Sequence, residues 1–132
     1  MLILLDKPQK KQSSLVLTIK MQSLPHYFIL GIKILTQPSI YSVDGSEKEI
    51  EEAEEAFEAI SDWVGNIDMA NNFHKIGGFG VLKRCIKASP HSVIRWNAAN
   101  TVAELSQNNP YCQEHFVKEG FVEVLLNMLN KV

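Results

Sequence analysis

Cysteine is scarce. The 132 residues hold two, Cys85 and Cys112, 27 positions apart and outside any CxxC spacing, so neither a zinc site nor a disulfide framework is indicated, and free thiols in a reducing compartment are expected. Long apolar runs are missing too. The stretch 27–35 is short and interrupted by Lys33, far from the ~18–20 residues that a membrane span needs. The opening MLILLDKPQKK places apolar residues before charges, the reverse of a signal peptide, and has no small-residue cleavage site, so a cytoplasmic protein without membrane contact is expected. A net charge of −2 and a pI near 6.1 supply no basic stripe of the kind that grips nucleic acid. Gly77, Gly78 and Gly120 lack the spacing of a phosphate-binding loop and are expected at corners between helices. Cys112 and His115 are three residues apart, and an offset of 43 relates His74 to the position beside Phe116, but no third group is evident. Three or four convergent ligands make a metal site, and a reactive thiol needs an oriented base, so no metal, cofactor or catalytic residue is expected.

What the chain does have is one unit begun twice. An offset of 43 sets Lys75 on Lys118 and pairs Asn66 with Asn109, Phe73 with Phe116, Gly77 with Gly120, Val81 with Val124 and Leu82 with Leu125. Helical units with a period of roughly 40–47 residues are the mark of armadillo and HEAT arrays, whose units bury their apolar faces by stacking on one another. The fold expected is therefore all-α, with about one and a half to two armadillo/HEAT-like repeats over 46–132 behind an N-terminal segment, 1–45, that is poorly ordered apart from a short helix at 25–35. Such arrays present binding surfaces, and an enzyme is not expected.

Taken in order, 1–24 has no sustained period and KPQKKQSS reads as a linker, while SSLVLTIKM as a strand would lack a partner. Residues 38–45 read as an irregular connection. Ser46 with Glu49 forms a capping-box pattern that opens the strongest helix, with Ala53, Ala56, Phe57, Ile60, Trp63 and Val64 on one face and carboxylates on the other. Shorter helices follow at 69–76 (capped by Asp68), 79–88, 91–107, 111–119 and 121–129. The inner side of 91–107 is read as Trp96, Ala99, Val102, Ala103, Leu105 and Ser106. Charge is uneven along the chain: 47–69 carries a net −8, nine acids against Lys48, between flanks of net +3 each.

In an armadillo stack the long third helices line the concave face. On 91–107 the outward stripe is read as Asn97, Asn100, Thr101, Glu104 and Asn108 with Arg95 at its edge, amide-rich and suited to hydrogen-bonding a partner. On the preceding long helix it is Glu55, Glu58 and Asp62, with Glu51, a negative field able to steer a basic surface.

The stretches DWVGNIDMANNF at 62–73 and IRWNAANTVAELSQNN at 94–109 resemble the armadillo-type nucleotide exchange factors that bind heat-shock protein 70 chaperones. The resemblance rests on Asn66, Asp68, Ala70 and Phe73, the Gly77-Gly78 corner, Arg95, Trp96, Ala98 and Ala99, and Ser106, Gln107 and Asn108. With ILTQP at 34–38 and the residues before it, the likeness covers about 30–132, and 1–24 lies outside it. It implies a concave helical surface that wraps one lobe of the chaperone's nucleotide-binding domain and loosens its hold on ADP, without catalysis by the chain itself. The family has more repeats than this, so a truncated member is expected, with self-association through an uncapped C-terminal repeat. Two alternatives stay open: a truncated homologue without exchange activity, and a generic armadillo scaffold for an extended peptide. Peptide-binding grooves of that kind resemble a ladder of exposed Trp and Asn, and here the ladder position holds Asn100 in one unit and Glu58 in the other, which favours the exchange factor.

Overall fold

A computed structural model describes residues 24–130. The linker and strand readings of the first residues lie outside them. Every regular element among the described residues is helical. They are α1 (Leu24–Leu35), a 3-10 turn at Pro38–Tyr41, α2 (Glu47–Val64), α3 (Ile67–Lys75), α4 (Gly78–Ala88), α5 (Ser92–Ser106), α6 (Pro110–Lys118) and α7 (Phe121–Asn130). The expected irregular connection at 38–45 thus begins with a 3-10 turn.

The helix starts are set by local chemistry. Ser46 Oγ accepts from Glu49 N–H at 3.2 Å, the N-cap bond that opens α2, and donates to the Glu49 carboxylate at 2.8 Å. That hydroxyl, which is the first of its causes, holds Glu49 below the usual carboxylate range. Asn66, and not Asp68, caps α3, its Oδ1 accepting from Met69 N–H at 3.1 Å, while Asp68 sits inside the first turn. Asn109 repeats this 43 residues later, accepting from Cys112 N–H at 3.1 Å with Pro110 in the first turn behind it. The corners repeat as well: Gly77 and Gly120 stand at φ 95° and 80°, the left-handed region in which a side chain is strained.

The elements stack unit on unit, α2 against α5, α3 against α6 and α4 against α7. This is the armadillo-like order of long, short and middle helices. Small residues on α2 (Ala53, Ala56, Ala59) and Ala98 on α5, all fully buried, let the two long helices approach closely. An aromatic seam runs between the units: Phe79 of α4 stacks on Phe116 of α6 with centroids 4.0 Å apart and planes 7° from parallel, and Phe121 of α7 packs edge-on to Phe116 at 4.8 Å. At the other end Phe28 of α1 packs edge-on to Phe73 of α3 at 5.3 Å, so α1 joins the same core through Phe28 and Leu35, and the 3-10 turn joins it through Ile40. The connection after α1 is tied down by Ser89 Oγ, which donates to Ile40 O at 2.6 Å, and by His91 Nε2, which donates to Ser42 O at 2.7 Å.

Three assignments of facing are corrected. Trp96 is 61% exposed and Ala103 is exposed, whereas the buried stripe of α5 is Ile94, Ala98, Thr101, Val102 and Leu105. Trp96 is two residues from both Ile94 and Ala98, about 200° around the helix, and register overrides its apolar character. Trp63, expected on the inner face of α2, is 38% exposed. On α7, Val122, Leu126 and Leu129 are more than half exposed, although Ile86, the repeat mate of Leu129, is buried.

Burial also fixes the chemistry of the thiols. Cys85 and Cys112 are both fully buried, which pushes each up to about 11, with the Tyr41 hydroxyl 3.6 Å from Cys85 Sγ only partly offsetting this at Cys85. Tyr41 OH donates to Leu35 O at 2.7 Å, and its own ionisation is pushed well above the usual phenol range, first by burial. An unfolded chain releases its thiol protons near 9.0, where the native chain still holds them. Stability is therefore full below that pH and falls as pH rises from about 9 towards 11, by on the order of 2 kcal/mol per thiol. Urea midpoints measured at pH 8 and 10.5 should drop, and the drop should be smaller in Cys85→Ala. An equal drop in the variant would show that the fold does not hold back the ionisation of this thiol.

Candidate protein-binding surface

The long helices α2 and α5 lie side by side, and their solvent faces make one surface. Inner positions of the two helices match at an offset of 45 (Ala53 with Ala98, Ala56 with Thr101, Phe57 with Val102, Ile60 with Leu105), whereas the caps and corners that follow match at 43. In repeat register α5 therefore ends early. Carrying 45 to the outer face makes Glu51 the repeat equivalent of Trp96, Glu55 of Asn100, Glu58 of Ala103 and Asp62 of Gln107. By that register the ladder residue equivalent to Asn100 is Glu55, not Glu58.

Of the residues expected on this face, Asn100, Asn108, Glu58 and Asp62 are exposed, and Arg95, Asn97, Glu104 and Glu55 are half-buried. Thr101 is a correction. It is 1% exposed, on the stripe with Ile94 and Leu105, and is tolerated there because its hydroxyl donates to Asn97 O at 2.9 Å. Asn97 Nδ2 donates to Val93 O at 2.7 Å and Arg95 Nη1 to Ser89 O at 3.0 Å, so both also serve the helix start. Glu104 Oε1 accepts from Ser61 Oγ at 2.6 Å, which joins α5 to α2, and Asn100 Nδ2 reaches the same oxygen only at 3.5 Å. Asn100 is exposed and makes that one long contact to its own helix. Asn108 adopts φ 51° in the turn after the helix. The result is a row of carboxylates on α2 beside a mixed row on α5, a surface that favours a basic, hydrogen-bonding partner.

Sequence reasoning missed Trp96 as a surface residue. It also lines a cleft of about 620 Å³ with Lys83, Lys87 and Arg95 on one side and Glu123 and Met128 of α7 on the other. The 3.6-residue count from Ile94 identifies the exposed position once that residue is taken as core. A second omission is Glu119, the third group that His74 and His115 lacked. Its carboxylate lies 2.8 Å from His74 Nε2 and 3.7 Å from His115 Nδ1.

No protein-family model matches the chain, and no solved structure does. Curated relatives do match. Hsp70-binding protein 1 of Homo sapiens is 28% identical over 102 residues, which is 76% of this chain and 28% of that protein, and the Macaca fascicularis protein of the same name matches to the same extent. The Hsp70 nucleotide exchange factor FES1 of Debaryomyces hansenii is 29% identical over 97 residues, 74% of this chain and 34% of that protein. The chain thus spans about a third or less of the length of the curated relatives it matches. They are of the family that the sequence resembles, the binding proteins and nucleotide exchange factors of Hsp70 chaperones.

Proposed function

We propose that the chain binds the nucleotide-binding domain of an Hsp70 chaperone through the solvent face of α2 and α5 and promotes ADP release, as a cytoplasmic exchange factor and not an enzyme. The observation that carries this reading is the pairing of carboxylate and amide rows on adjacent long helices in a chain whose relatives are named for Hsp70 binding and nucleotide exchange. Glu58 and Asp62 supply the field that steers a basic surface, and Asn100 supplies donor and acceptor at the centre of the face.

Titration calorimetry with the isolated nucleotide-binding domain, paired with release of a fluorescent ADP analogue, tests both halves. Asn100→Arg sets a long cation where a short amide stood and should weaken binding at least ~10-fold, about 1.4 kcal/mol, with the helical circular dichroism unchanged. Glu104→Lys is a poorer probe, since it also breaks the bond from Ser61. Binding without faster release would assign the chain to a homologue that lacks exchange activity. Absence of both would favour an armadillo scaffold for an extended peptide. One observation speaks for that second reading: exposed Trp96 precedes Asn100 by one turn on the same face.

A further inference from the structure

We propose that His74, His115 and Glu119 form a binding site for one divalent transition-metal ion, Zn2+ above all, that clips the first repeat unit to the second. His74 comes from the last turn of α3, His115 from α6 and Glu119 from the C-cap of α6, so the three meet only because the short helices stack. One ligand atom from each lies within 4.8 Å of the others. A tetrahedral zinc ion with bonds of ~2.0–2.1 Å holds its ligands roughly 3.3 Å apart. Two of the three separations, 2.8 Å between His74 Nε2 and Glu119 Oε2 and 3.7 Å between His115 Nδ1 and that oxygen, bracket this value, and the third lies within 4.8 Å. Rotation of the Glu119 and His115 side chains is what seating an ion requires.

The surroundings suit a ligand set. Tyr111 OH lies 2.8 Å from His74 Nδ1, and this contact leaves Nε2 turned towards Glu119, the way the non-ligating nitrogen of a metal-bound imidazole is held. Phe79 packs on the other side of the His74 ring at 4.5 Å, and the His115 ring lies over it at 4.2 Å. The Lys83 ammonium binds the Glu119 main-chain oxygen, which leaves the carboxylate to the imidazoles. Side-chain exposures of 18%, 31% and 35% for His74, His115 and Glu119 leave an open side for a water as fourth ligand. Two imidazoles and one carboxylate select zinc and its neighbours over Mg2+ and Ca2+, which take oxygen ligands. All three residues lie off the α2–α5 face.

The test uses the full chain, stripped of metal, with Co2+ as spectroscopic probe and Zn2+ in calorimetry. We expect one Zn2+ per chain, a Co2+ absorption band displaced by Zn2+, and a thermal midpoint raised by roughly 10 °C when free metal exceeds Kd about 100-fold. His115→Phe keeps a ring against His74 and Tyr111 but removes the ligand nitrogen, and Glu119→Gln removes the carboxylate. Each should abolish the band and weaken Zn2+ binding by 10-fold or more, and circular dichroism verifies that each stays helical. A wild-type chain that gives no Co2+ band at millimolar metal overturns the site. So does binding that survives both substitutions, which would place the ion elsewhere.

Discussion

Phe79→Ala should destabilise the protein by about 3–5 kcal/mol, the range for truncating a fully buried aromatic ring. Phe79 is 1% exposed and leaves α4 to stack on Phe116 at 4.0 Å, with His74 at 4.5 Å and Phe121 at 6.0 Å. The ring is therefore the joint through which α4 of one unit holds α6 and α7 of the next. Truncation opens a cavity between two units that are stable only against one another. Against the ~5–15 kcal/mol that a domain has in total, such a loss leaves a large unfolded fraction. Urea denaturation followed by circular dichroism measures it, and Phe79→Leu should recover part of the loss while forgoing the aromatic pairing, worth roughly 0.5–1.5 kcal/mol. A cost under ~1 kcal/mol for Phe79→Ala would mean that the seam collapses onto the gap and that the units are joined elsewhere.

Gly78→Ala should also destabilise, by roughly 1–3 kcal/mol, although alanine in place of glycine in a helix ordinarily stabilises by about 0.5–1 kcal/mol. The reversal of sign comes from Phe73. A Cβ at position 78 would lie 2.4 Å from Cε2 and Cζ of that ring, which is fully buried and backed by Phe28 at 5.3 Å, so it has no room to retreat. Pairing the substitution with Phe73→Leu separates this clash from other causes. In that background the cost of Gly78→Ala should shrink by at least ~0.5 kcal/mol, the coupling expected of residues in contact. A neutral or stabilising Gly78→Ala in the parent chain would show that the Phe73 ring is not held. The second unit has Phe121 at the position equivalent to Gly78, with its ring against Phe116. The short-helix phenylalanine of the first unit thus meets Phe28 of α1, and that of the second meets Phe79 of α4 and Phe121 of α7.

The sequence by itself determined the helices and their order, because the signals that set them are local. A hydroxyl or amide three residues ahead of an unpaired N–H makes the caps at Ser46 and Asn109, and glycine alone relaxes the left-handed corners at 77 and 120; at α3 the cap is Asn66 where the sequence pointed to Asp68. The 43-residue offset carried the stacking of units, since identical caps and corners repeat only where whole helices repeat. Which face of α5 is buried was decided by tertiary structure. Hydropathy placed Trp96 inside and Thr101 outside, but the close approach of α2, with Ala56 and Phe57 at its surface, selects the stripe containing Ala98 and Thr101. A threonine satisfied by its own helix costs little to bury. Tertiary structure also decided the two-residue slip between long and short helices, which makes Glu55 the repeat equivalent of Asn100. The convergence of His74, His115 and Glu119 is likewise tertiary. Side chains 41 and 45 residues apart in sequence become neighbours only when α3 packs on α6, and no local spacing encodes that contact.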